Sequence, residues 1–92
     1  MARVMVRQEM IESGELALVP EAQLKEALRR IRDDPNAGKP LRRALAGCRS
    51  IRVGGSENRL VYRYHPADDW VECLALERRR SGEAYSTAQG RL

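Results

Sequence analysis

Residues 58–64, Asn-Arg-Leu-Val-Tyr-Arg-Tyr, constrain the fold more than any other stretch of this chain. Leu60, Tyr62 and Tyr64 alternate with Arg59, Val61 and Arg63, and a period of two sends the two sets to opposite faces of a strand. The β-branched and aromatic content suits a pleated surface. Such a strand needs neighbours to bond its backbone and a layer to cover its apolar face. The neighbours are adjacent in sequence. Residues 49–53 read as a strand, Gly54-Gly55-Ser56-Glu57 as the hairpin turn that follows, His65-Pro66-Ala67-Asp68-Asp69 as a second turn, and residues 70–76 as a third strand.

The covering layer comes from the first half. Pro20 suits a first helical position, Glu21 suits the positive end of the helix dipole, and Leu24, Ala27, Leu28 and Ile31 recur at helical spacing. Arg29, Arg30 and Arg32 fall on other faces, and Asp33-Asp34-Pro35-Asn36 stops the helix. Residues 2–6 alternate as a short strand. Residues 7–19 are ambiguous, with Gly14 as a break and Leu16, Leu18 and Val19 as apolar anchors. One further helical turn fits residues 41–47, and a short helix fits residues 83–88. The expected fold is α+β: one domain over residues 1–92, a small twisted antiparallel sheet with one or two N-terminal helices packed on one face. The other face is then an open groove.

Ninety-two residues with 42% hydrophobic and 33% charged side chains fit a single small core. No apolar run approaches the roughly 20 residues that a membrane span requires. Residues 1–9 lack the apolar stretch of a signal peptide, so the cytoplasm is the expected compartment, with no membrane partner. Cys48 and Cys73 have neither CxxC spacing nor a histidine cluster, and read as small buried apolar side chains, with no metal or cofactor expected. The net charge of +4 is concentrated: residues 41–64 carry six arginines (42, 43, 49, 52, 59 and 63) against Glu57 alone. Arginine presents a planar fork that matches phosphate oxygens, so a phosphate-bearing partner is the first expectation. Arg52 and Arg59 lie on strands joined by a tight turn and can converge across it.

Residues 41–47, Cys48-Arg49-Ser50-Ile51-Arg52-Val53, Asn58-Arg59-Leu60-Val61-Tyr62, Leu74-Ala75-Leu76-Glu77-Arg78-Arg79-Arg80 and Glu83-Ala84-Tyr85-Ser86 together resemble the RelE/ParE toxin superfamily, most closely its RelE-type messenger-RNA interferases. The resemblance covers residues 20–92. It implies the toxin of a type II toxin–antitoxin system that enters the ribosomal A site and cuts mRNA by 2′-hydroxyl attack, restrained by a cognate antitoxin. Carried over by position, Arg59 matches the arginine on the scissile phosphate and Arg79 the arginine near the leaving oxygen. Tyr85 matches a tyrosine that stacks on a nucleobase, and Arg52 a basic residue at the attacking 2′-hydroxyl. Arg49, Arg63, Arg78 and Arg80 are the expected further RNA contacts. Ser50 stands where such toxins commonly carry a second lysine, which leaves the general base open, with Glu77 and His65 as candidates. A ParE-like gyrase inhibitor and a catalytically disabled binding protein of the same fold are the alternatives.

Overall fold

The computed structural model describes residues 1–55, 57–78 and 83–92, with residues 77, 78 and 83–86 as backbone only. Strand β1 (Arg3–Val6) is followed by helix α1 (Gln8–Glu12), a 3-10 turn at Glu15–Leu18 and helix α2 (Glu21–Asp33). Next come β2 (Lys39–Pro40), a 3-10 turn at Arg43–Leu45, β3 (Cys48–Arg52), β4 (Asn58–His65), β5 (Trp70–Arg78) and helix α3 (Glu83–Gly90). The strands stand in the order β1-β5-β4-β3-β2. The antiparallel meander β3-β4-β5 is its centre, as the alternation predicts. Its edges differ from expectation. β1 pairs in parallel with β5, which makes the sheet mixed, and β2 pairs antiparallel with β3. Strands of four and two residues carry too little periodicity to announce their partners.

Helix α2 buries Leu24, Ala27 and Ile31 on the sheet's first face, with Leu28 partly covered. Pro20 sits one position earlier than expected: at φ −58° and ψ 140° it is the extended cap, and Glu21 opens the helix. Pro35 ends it, because a residue preceding proline is driven out of the helical region, and Asp34 is extended at φ −143° and ψ 90°. The loop that follows is tied to the centre of the sheet by Tyr62. This fully buried side chain donates its hydroxyl to the Pro35 carbonyl at 2.8 Å and accepts the Gly38 N–H at 2.9 Å. A Cβ at Gly38 would lie 2.6 Å from that hydroxyl oxygen, so the approach requires glycine.

The second face, expected to be open, is half closed. Val61 pairs with Ala75 but Tyr62 pairs with Cys73, so Leu74 is an extra residue in β5 and the bulge places both Leu74 and Ala75 on this face. They form a second core with Leu45, Cys48, Val61 and Ala88 of α3. Cys48 and Cys73 are buried free thiols, and burial pushes the Cys73 thiol up to about 12. The end of α3 is fixed by Arg91, whose guanidinium donates to the Leu74 carbonyl at 2.7 Å and pairs with the Glu15 carboxylate. Glu15 is itself buried, and accepts the Leu76 N–H at 2.9 Å and the Ser13 hydroxyl at 2.8 Å. Burial pushes the Glu15 carboxyl up, but the bonds from Arg91, Leu76 and Ser13 outweigh it and hold it below its ordinary value. Among the described residues no helix is long and apolar enough to cross a membrane.

Replacing Tyr62 by Phe keeps the packing and leaves the Gly38 N–H and Pro35 carbonyl without their partner. Urea denaturation is expected to show a loss of about 1–3 kcal/mol at unchanged m-value.

Candidate nucleic-acid interface

The register of β3 and β4 sets the site. Ile51 and Val53 belong to the first core, so the alternate residues Cys48, Ser50 and Arg52 belong to the second face. Arg52 stands opposite Arg59, Ser50 opposite Val61, and Cys48 opposite Arg63. The convergence expected of Arg52 and Arg59 is therefore present as a directly paired position across the hairpin. Cβ atoms of residues paired in this way lie about 4.5–5.5 Å apart, and like charges so placed destabilise the sheet. No acidic side chain among the described residues forms an ion pair with Arg52, Arg59 or Arg63. Arg59 is half-buried, and its Nε is shut from solvent with no hydrogen-bond partner. An uncompensated donor of this kind costs about 1–3 kcal/mol. Ser50, almost completely buried, and fully buried Val61 form the uncharged floor beside the two arginines.

One further cation joins this face. Lys39 is the register partner of Ser50, which places it on the same face, exposed and in the strand beside Arg52. It forms no ion pair among the described residues. Sequence reasoning missed it because residues 1–40 balance to zero charge and a two-residue strand has no visible period. Arg63 is exposed two residues beyond Val61 on the same face.

The remaining predicted residues are placed differently. Arg49 faces the first side of the sheet beside Tyr62 and donates to the carbonyls of Gly38 at 2.8 Å and Asn36 at 3.3 Å, so it does not join the cluster. His65 lies at the opposite end of β4 from Arg59, about 20 Å along the strand at roughly 3.3 Å per residue. There its ring stacks on Trp70 at 4.3 Å, and its Nε2 bonds Glu72 at 3.1 Å. Glu72 also takes the Arg7 guanidinium at 2.8 Å, so it is engaged away from Arg59. Glu77 is the register partner of Arg59, and Arg78 that of Asn58. Arg79 and Arg80 lie outside the described residues. Tyr85 is in the first turn of α3, three residues before the buried Ala88, and its side chain also lies outside the description.

No family model and no curated protein matches the sequence. Solved structures do. An arginine double mutant of the E. coli toxin RelE in the free state superimposes with a TM-score of 0.78 at 23% identity, over 100% of this chain and 99% of that one. The toxin–antitoxin complex RelBE2 from Mycobacterium tuberculosis gives 0.66 at 29% identity, over 85% and 98%. The YoeB/ParE toxin from Agrobacterium tumefaciens gives 0.66 at 21% identity, over 83% and 96%. The α+β architecture is thus that of RelE, in agreement with the expectation from residues 41–86. The chain thus has the fold of these RelE, RelBE2 and YoeB/ParE toxin structures.

The Glu72 cluster gives an acid-side test of the sheet's far edge. Burial pushes the Glu72 carboxyl up, but the bonds from His65 and Arg7 outweigh it, so its folded value lies below the ordinary 4.5. Its stabilisation is therefore complete above about pH 4.5 and is lost as pH falls through the depressed value. Thermal melts of Glu72→Gln are expected to lie below wild type at pH 7, and the two curves to converge as pH falls below 4.5.

Proposed function

We propose that this chain is the toxin of a type II toxin–antitoxin system and a ribosome-dependent endoribonuclease that cuts messenger RNA in the A site of cytoplasmic ribosomes. The observation that carries the reading is the Arg52–Arg59 pair: two guanidiniums in register, in no ion pair with a described side chain, one with a buried Nε that has no hydrogen-bond partner. A fold under no functional demand gains nothing from opposing like charges there. A phosphodiester supplies the missing anion and bidentate acceptors.

In this reading the 2′-oxygen of the nucleotide before the cut attacks phosphorus, the P–O5′ bond breaks, and the ends are a 2′,3′-cyclic phosphate and a 5′-hydroxyl. A proton leaves the 2′-oxygen and another arrives at the 5′-oxygen. Arg59 grips a non-bridging oxygen, and Arg52 faces the charge that grows as the 2′-hydroxyl attacks. Fixed cations of this sort stabilise the phosphorane more than the diester, which is how they accelerate the reaction. Arg79 matches the position near the leaving oxygen, and Tyr85 the position of a base-stacking platform. Lys39 and Arg63 extend the cationic strip on either side, with Arg78 and Arg80 as further backbone contacts. Arginine titrates too high to accept the 2′ proton, so alignment by the ribosome carries much of the barrier.

The M. tuberculosis neighbour is a toxin–antitoxin complex, which supports a cognate antitoxin as the partner here. Its acidic side chains would neutralise the same cationic strip.

Primer extension on a defined messenger in a purified translation system tests the reading. Cuts inside the A-site codon are expected only when ribosomes are present, and Arg59→Ala is expected to slow them about 100- to 1,000-fold with the fold intact. Folded protein that leaves the messenger whole and inhibits DNA gyrase instead would transfer the chain to the ParE side of the superfamily.

A further inference from the structure

Helix α3 cannot stand by itself. Eight residues are too few for a stable isolated helix, and this one includes Ser86, Thr87 and Gly90, all weak helix formers. Its attachments include Ala88 in the second core and Arg91 just beyond its end. Arg91 does more than form an ion pair. β1 pairs with β5 only from Trp70 to Cys73, so the backbone of β5 beyond that point has lost its neighbour on that edge. Arg91 donates to the freed Leu74 carbonyl at 2.7 Å, and Glu15 accepts the freed Leu76 N–H at 2.9 Å. The two side chains bond each other and finish the sheet edge where the strand stops. Gly14, at φ 79°, provides the left-handed turn before Glu15, and Ser13 holds the carboxylate with a hydrogen bond of 2.8 Å.

We propose that Glu15 and Arg91 are positioning residues for the α3 side of the site: the clasp fixes the helix that carries Tyr85 in its first turn on the sheet face that bears the Arg52–Arg59 pair. The role rests on the ribonuclease reading above. Without the clasp the C-terminal end of the helix can rock about the buried Ala88, and displacements near 1 Å at a reacting centre cost about 100-fold in rate. The site is thus shared between the N-terminal and C-terminal parts of the chain, since Glu15 and Arg91 meet across a separation of 76 residues in sequence.

The test combines amide hydrogen exchange on the full chain with single-turnover cleavage of ribosome-bound messenger, for Arg91→Ala, Arg91→Lys and Glu15→Gln. Arg91→Ala is expected to raise exchange across residues 83–92 about tenfold while residues 58–76 stay protected. Cleavage is expected to fall about 10- to 100-fold, with ribosome affinity within about twofold. Arg91→Lys recovers part of both, because an ammonium can keep one of the two bonds. Glu15→Gln, which retains an acceptor for the Leu76 N–H, shifts both readouts in the same direction as Arg91→Ala. Arg7→Ala breaks an ion pair at the far edge of the sheet and is the control for general destabilisation: its cleavage rate stays within about twofold of wild type. Unchanged exchange in α3 overturns the clasp, and loosened α3 with wild-type cleavage overturns its positioning role. A wild-type chain that cuts no messenger contradicts the ribonuclease reading alone, and exchange in α3 then decides the clasp.

Discussion

A central strand whose two faces have opposite tasks governs this molecule. On one face of β4, Leu60 and Tyr62 must be dry, and α2 is pinned over them by its own apolar stripe and by the loop that Tyr62 holds at Pro35 and Gly38. On the other face only Val61 is dry, and Arg59 and Arg63 flank it. The second core is therefore small. It draws on the Leu74 bulge, on Leu45 and on Ala88, and it stops where the arginines begin. That boundary between a short apolar floor and a row of cations is the candidate site.

The electrostatics follow from the same division. Several cations elsewhere in the chain have partners: Arg7 with Glu9 and Glu72, Lys25 with Glu21, Arg29 with Glu26, Arg32 with Asp33, and Arg91 with Glu15. The exposed pairs among these contribute little to stability. Around Arg52, Arg59 and Arg63 no such pair forms among the described residues, although the chain carries thirteen acidic residues and Glu72 stands opposite Arg63. In the proposed reading an anion bound between Arg52 and Arg59 would offset the like charges that the register sets opposite each other.

Much of this was legible in the sequence because alternation is a local signal. Residues 58–64 alone assign Leu60 and Tyr62 to one face and Arg59 to the other, and the tight Gly54-Gly55 turn forces Arg52 opposite Arg59. The helical stripe of α2 and its stop at Pro35 are local as well. The parallel pairing of β1 with β5, the bulge at Leu74 and the placement of Lys39 beside Ser50 depend on contacts between distant segments, which a single sequence does not display. Glu15 is the clearest case. A glutamate between Gly14 and Leu16 reads as a surface residue, and only the broken edge of β5 makes a buried carboxylate the acceptor it needs. His65 failed as a candidate base for the converse reason: its residue type suited the chemistry, but β4 carries it to the far end of the sheet.

The central claim is that Arg52 and Arg59 act on one phosphate as a unit, and a double-mutant cycle measures that directly. Single-turnover cleavage of ribosome-bound messenger would be compared for wild type, Arg52→Ala, Arg59→Ala and the double variant. Groups that stabilise the same transition-state charge are strongly non-additive, so the double variant is expected to be little slower than the worse single one. Losses that simply multiply, or a double variant that cleaves at the wild-type rate, would contradict the account.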